Sequence, residues 1–92
     1  DGMKQITFGE YKNVIGKVLA RIRTERGLSQ SELAAKMQVL GVNIDQQMIS
    51  KIERNQRQVT DYEFACFSLC LKVDTSEFLQ DFYTSLKGKG SR

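Results

Sequence analysis

The 92-residue sequence predicts an all-α domain of five short helices, and three observations carry that reading. Ser, Thr or Asp stands three positions ahead of a Glu at Thr7/Glu10, Ser29/Glu32, Thr60/Glu63 and Asp74/Glu77. This is the spacing of a capping box, in which the two residues satisfy each other's open backbone N–H groups at a helix start. The chain contains no Pro, a residue that would interrupt helices by removing a donor and crowding the preceding turn. No segment alternates apolar and polar residues with the period of two that a half-buried strand requires.

The elements follow in chain order. Thr7-x-x-Glu10, with Ile6 and Tyr11 as a hydrophobic staple, offers one start for helix 1 and Asn13 a later one. The helix then runs from about Phe8 or Asn13 to Glu25, with Ile15, Leu19 and Ile22 inward and Gly9 and Gly16 as weak points. Helix 2 opens at Ser29, gathers Leu33, Ala34 and Met37 on one side, runs to about Leu40 and stops at Gly41 as a left-handed C-cap. Val42 and Ile44 then plug the core, and Asp45 caps helix 3, which collects Met48, Ile49 and Ile52 on one face. Helix 4, about Asp61 to Leu71, buries Phe64, Phe67 and Leu71; helix 5, about Thr75 to Leu86, buries Phe78, Leu79 and Phe82. Residues 1–12 are thus an N-terminal arm or the start of helix 1, residues 13–86 the folded domain, and residues 87–92 a flexible basic tail. Asp1-Gly2 ahead of Met3 reads as the remnant of a cleaved tag.

Helices 2 and 3 make a helix-turn-helix, a pair whose second member normally lies in the DNA major groove. The run GLSQSELAAKM…ISKIER, with IGKVLARIRTER before it and VTDYEFACFSLCLKVDTSEFL after it, resembles the phage-repressor, Xre/Cro-like helix-turn-helix family over about residues 15 to 80. The resemblance implies a five-helix repressor-like domain. One departure is plain: the family places the Ile of helix 3 about ten residues after the Ala of helix 2, whereas here Ala34 and Ile49 are fifteen apart. The expected fold is therefore a helix-turn-helix with a lengthened turn.

The resemblance also assigns roles. Gln46 and Gln47, at the first turn of helix 3, are expected to read bases, since an amide donates and accepts at once and so matches the adenine edge. Ser50 and Lys51 follow one turn later on the same side. Gln30 at the start of helix 2 is expected to hold a phosphate together with the helix N-terminus, and Arg54, Asn55, Arg57 and Gln58 to line the sugar-phosphate wall. Arg23 and Glu53 match a structural charge pair linking helix 1 to the end of helix 3. The plain alternative is that the glutamines are only good helix formers and the charged loop only solvated.

Charge and composition agree with a nucleic-acid partner. The net charge is +3, with ten Lys/Arg against six Asp/Glu in residues 1–60 and four against five in residues 61–92. Positive charge thus travels with the helix-turn-helix, where Lys and Arg would displace counterions from DNA. The sequence has no His, no Gly-rich phosphate loop, and no Ser or Cys beside an evident base, so an enzyme is not expected. Cys66 and Cys70, four apart on one helix, are poorly placed for a disulfide and lack a His to complete a zinc site. They read as small apolar residues, Cys70 in the core and Cys66 near the surface; no metal or cofactor is expected. No apolar stretch nears the roughly 20 residues that span a bilayer and no signal-peptide core is present, so a cytoplasmic protein without membrane contact is expected.

Two functions fit. One is a sequence-specific transcriptional regulator, a repressor, binding double-stranded DNA as a homodimer. Phe78, Leu79, Phe82, Tyr83 and Leu86 recur at steps of three and four, more apolar surface than one short helix needs, which makes Phe82, Tyr83 and Leu86 the expected dimer interface. The other is a protein-interaction module, such as an antitoxin-like or regulatory subunit, whose protein partner binds helix 5 or the tail.

Overall fold

Residues 7–90, which the computed structural model of the chain describes, form α1 (Gly16–Glu25), α2 (Gln30–Val39), α3 (Gln46–Glu53), α4 (Asp61–Leu71) and α5 (Thr75–Gly90), with no strand among them. Two capping boxes open helices as expected. Ser29 Oγ accepts from the Glu32 N–H at 3.0 Å while Glu32 Oε1 accepts from the Ser29 N–H at 2.8 Å, and Thr60 and Glu63 repeat the exchange at α4. Asp45 caps α3, its Oδ1 accepting from the Met48 N–H at 2.8 Å.

Four helices end alike, each on a residue with positive φ. Gly27, Gly41, Asn55 and Lys72 have φ of +72°, +91°, +61° and +59°. At each, the next N–H reaches back to the last turn: Leu28 to Arg23 O, Val42 to Met37 O, Gln56 to Lys51 O and Val73 to Ser68 O, at 2.7–3.1 Å. This is the Schellman arrangement, which satisfies carbonyls that would otherwise lack a donor. At Gly41 it also throws Val42 against the core.

The lengthened turn comprises residues 40–45, and it thickens the core instead of bulging into solvent. Val42 and Ile44 are buried, and Gln38 Nε2 donates to the Ile44 carbonyl at 2.8 Å, holding the loop to α2. Around them close Ile15, Val18, Leu19 and Ile22 of the first segment, Leu33, Ala34 and Met37 of α2, Ile49 and Ile52 of α3, Phe67 and Leu71 of α4, and Phe78 of α5. Helix α5 docks through an edge-to-face contact between Phe78 and Phe64, with ring centroids 5.6 Å apart.

The structure departs from the sequence reading at five places. Phe64 of α4 and Leu79 and Phe82 of α5, expected to be buried, are only half-buried, Phe64 and Leu79 at the edge of the core. Thr7 opens no helix: Phe8 and Tyr11 pair across a tight turn, each N–H on the other's carbonyl at 2.9 and 2.8 Å, with Gly9 at positive φ. The later start wins because Asn13 Oδ1 accepts from the N–H groups of Ile15 and Gly16, at 3.0 and 2.7 Å, doing there what a cap does. Helix α5 continues to Gly90, so residues 87–90 are helical and do not belong to a tail; once an N-terminal turn is docked, each further residue adds a hydrogen bond without a new nucleation cost. Cys70 is half-buried, as is Cys66, and neither lies in the core itself. Gly16 is not a weak point but a close approach. A Cβ there would stand 2.3 Å from the Ile52 carbonyl oxygen, so only Gly lets the start of α1 come up against the end of α3. Ile6, at one end of the expected staple, and the last tail residues 91 and 92 lie outside the described residues.

Gly16→Ala is accordingly expected to destabilise the domain by about 1–3 kcal/mol through overpacking, although Ala is the better helix former. Urea unfolding with an unchanged slope and a lowered midpoint would register it; a midpoint at or above that of the wild type would contradict the close approach.

Candidate nucleic-acid interface

The surface at the start of α3 is held by a chain of hydrogen bonds running out from the interior. Arg23, on α1, donates from Nε to Glu53 Oε2 at 2.7 Å and from Nη2 to Glu53 Oε1 at 3.0 Å, while its Nη1 holds the Leu28 carbonyl at 2.8 Å. Both side chains are mostly shielded from water, at 15% and 7% exposure. The hydrogen bond from Arg23 to Glu53 makes the guanidinium hold its proton more tightly than usual, against the opposing pull of burial. Glu53 Oε1 accepts a further hydrogen bond from Gln30 Nε2 at 2.8 Å, and Gln30 Oε1 in turn accepts from Gln46 Nε2 at 2.7 Å. Four residues from α1, α2 and α3 are thus linked in one line that ends on Gln46, exposed at the first turn of α3.

That line fixes which way the Gln46 amide faces. Its nitrogen is turned toward Gln30, and an amide has one acceptor and two N–H donors, so its oxygen and one N–H remain. Gln47 and Lys51 are exposed, and Ser50 is half-buried. Ser50 contributes its carbonyl, which accepts from the Arg54 N–H at 3.1 Å and from Arg54 Nε at 3.3 Å. Arg54 itself is exposed at the end of α3.

Asn55 and Arg57, two of the four residues expected along the sugar-phosphate wall, instead spend their side chains within the chain. Asn55 ends α3 in the left-handed conformation; its Oδ1 accepts from the Lys12 N–H at 2.8 Å and the Asn13 N–H at 3.4 Å, and its Nδ2 donates to the Glu10 carbonyl at 2.9 Å. Asn is the side chain best suited to both tasks, since it tolerates positive φ and can bond the backbone on either side. Arg57 forms a two-pronged pair with Glu63, Nη1 to Oε1 at 2.9 Å and Nη2 to Oε2 at 2.8 Å, and Nη1 also reaches the Gln58 carbonyl at 2.9 Å. Glu63, 3% exposed, is the one buried charged residue of the described chain. Gln30 stands at the helix N-terminus, with both ends of its amide engaged as described, and Gln58 is exposed.

Asn13 is a residue that sequence reasoning places only as a helix start. Its Nδ2 donates to the carbonyls of Ile52 and Arg57 at 3.0 and 2.9 Å while its Oδ1 caps α1. One side chain therefore staples the two ends of the loop after α3 to the start of α1. No local pattern marks this, because its partners lie some forty positions away.

The C-terminal candidates gather apart from this surface. Phe82 is half-buried in an edge-to-face contact with Phe8, centroids 5.3 Å apart, and Tyr83 lies beside it at 6.3 Å. Tyr83 and Leu86 are exposed, as are Phe8 and Tyr11. Among the described residues no group of three or more His, Cys, Asp or Glu converges as a metal site, and no helix is long and apolar enough to cross a membrane.

An all-helical domain whose third helix is capped, half-exposed and held at its start by α2 and at its end by α1 is a helix-turn-helix module. The family model described as Helix-turn-helix matches residues 19–78, and the chain belongs to that family of DNA-binding regulators, in its Xre/Cro-like, phage-repressor-like form. The match spans both helices of the motif and the lengthened turn between them. No curated protein matches the chain.

Proposed function

We propose that this protein is a sequence-specific transcriptional regulator of the repressor type that reads the major groove with α3. The observation that supports this most directly is the orientation of Gln46 by Gln30, Glu53 and Arg23. A glutamine that merely favours helix would not require its amide to be held. Gln46 and Gln47 read base edges, with Ser50 and Lys51 one turn behind them. Phosphates are met by the second amide N–H of Gln30 together with the open N–H groups of α2, and by Arg54 and Gln58 beyond α3. Replacing Gln46 and Gln47 together by Ala should bring binding of the preferred site toward the nonspecific level, since each good amide–base pair discriminates by about 1–3 kcal/mol. Selection of bound sites from random DNA with both proteins, at two salt concentrations, tests it; the same preferred sequence from the variant would refute the assignment.

The repressor acts as a homodimer. Tyr83 and Leu86 on α5, with Phe8 and Tyr11 of the preceding segment, leave large apolar side chains in water, and a single module covers only one half-site. Tyr83→Glu should shift the sedimentation coefficient from dimer to monomer with the helical signal retained. A wild-type protein that sediments as a monomer at micromolar concentration, and binds DNA without cooperativity, would overturn the dimer.

A further inference from the structure

Two sulfur atoms meet where α2 packs on α4, with a second cysteine one turn away on α4, in a place that the DNA-binding reading does not use. Cys70 Sγ lies 3.6 Å from Met37 Sδ. Cys66 stands one helical turn before Cys70 on α4, and side chains four apart on a helix are neighbours, with Cβ atoms about 5–6 Å apart. Both cysteines are free thiols, half-buried and packed on the edge of the core, whereas Met37 is buried completely. The seam of α2 and α4 thus carries a buried thioether in contact with one half-buried thiol, with a second half-buried thiol one turn away on α4.

We propose that Cys66, Cys70 and Met37 bind one soft monovalent metal ion, of the chemistry of Cu(I) or Ag(I). Thiolate and thioether ligands select such ions, while Zn(II) is normally held by four nitrogen or sulfur ligands and Mg(II) or Ca(II) by oxygen. Two sulfurs sharing an ion at bond lengths of about 2.3 Å stand about 3.8–4.0 Å apart in tetrahedral or trigonal geometry. The observed 3.6 Å separation thus needs only a slight opening, with Met37 already in position. On binding, each thiol releases its proton to solvent and each thiolate donates a lone pair to the ion; the thioether donates without losing anything, and no electron is transferred. Because Met37 belongs to α2 and the cysteines to α4, the ion fastens one helix of the helix-turn-helix to the body of the domain.

The test is titration of the reduced full chain with Cu(I) held by a chromophoric Cu(I) chelator, reading the metal transferred at equilibrium, together with thermal unfolding of the loaded and metal-free protein. One ion per chain is expected, with a raised midpoint of unfolding on loading, as for any ligand that binds only the folded state. Cys66→Ser should lower the affinity by more than the about 10–100-fold that loss of an outer-shell partner costs. Met37→Leu, which conserves volume and keeps the fold, should lower it by at least about tenfold. Absence of transfer, one ion per two chains, or affinities unchanged in Cys66→Ser and Met37→Leu would each overturn the site. None of these readouts involves DNA, so failure here is separable from failure of the proposed function.

Discussion

Arg57→Ala is expected to destabilise the protein by about 3–5 kcal/mol, the cost of leaving a buried charge without its partner. Glu63 is 4% exposed in its side chain and relies on both guanidinium prongs, whereas Arg57 is 23% exposed. Removing the arginine leaves the carboxylate in the interior with the hydrogen bond from the Thr60 N–H, the side-chain half of its capping box. Urea unfolding at neutral pH measures the loss, and Arg57→Met combined with Glu63→Leu should recover most of it, because an apolar pair carries no desolvation penalty. A variant of unchanged stability that binds every DNA sequence more weakly would return Arg57 to the phosphate wall.

The same pair predicts a pH dependence. Burial pushes the Glu63 carboxyl up, but the hydrogen bond from Arg57, those from Thr60 and the attraction of the guanidinium outweigh it, leaving the group below the usual glutamate value of 4.5. A carboxyl whose folded value is depressed stabilises the fold fully above its unfolded value and ceases to do so as pH falls through the folded one. Stability should therefore decline below about pH 4.5, and Arg57→Met with Glu63→Leu should flatten that part of the acid limb.

Glu53→Ala is expected to cost a similar amount, about 3–5 kcal/mol, and to damage recognition as well as stability. It strands the Arg23 guanidinium and removes the acceptor that orients Gln30. Gln46 then loses the fixed partner that turns its amide. Side-chain amide resonances of Gln30 and Gln46 should move together in this variant. A destabilised protein in which the Gln46 amide is unmoved would show that the pair supports the fold alone.

The helices are legible in the sequence because their signals are local. Ser29/Glu32 and Thr60/Glu63 announce two starts, Gly41 one end, and the apolar spacing of Leu33, Ala34 and Met37 or of Ile49 and Ile52 the buried faces. Thr7/Glu10 carries the same pattern and misleads, since a capping box is worth only about a kilocalorie and the competing cap at Asn13 also holds Ile52 and Arg57. Asn55 and Arg57 mislead in a related way. A polar residue after a reading helix looks alike whether it faces a phosphate or a partner within its own chain.

What the sequence determined by itself is the all-α class, the helix-turn-helix with its longer turn, and the family, because periodicity, caps and motif act within a dozen residues. What only the tertiary structure decided is which polar groups remain outside. Glu53 draws Arg23 and Gln30 to itself across thirty and twenty-three positions, Asn13 reaches across about forty to the loop after α3, and Gly16 is demanded by a carbonyl thirty-six residues later. Burial makes each such partner obligatory, since an unsatisfied polar group inside costs more than a solvated one, and burial is a property of the packed chain.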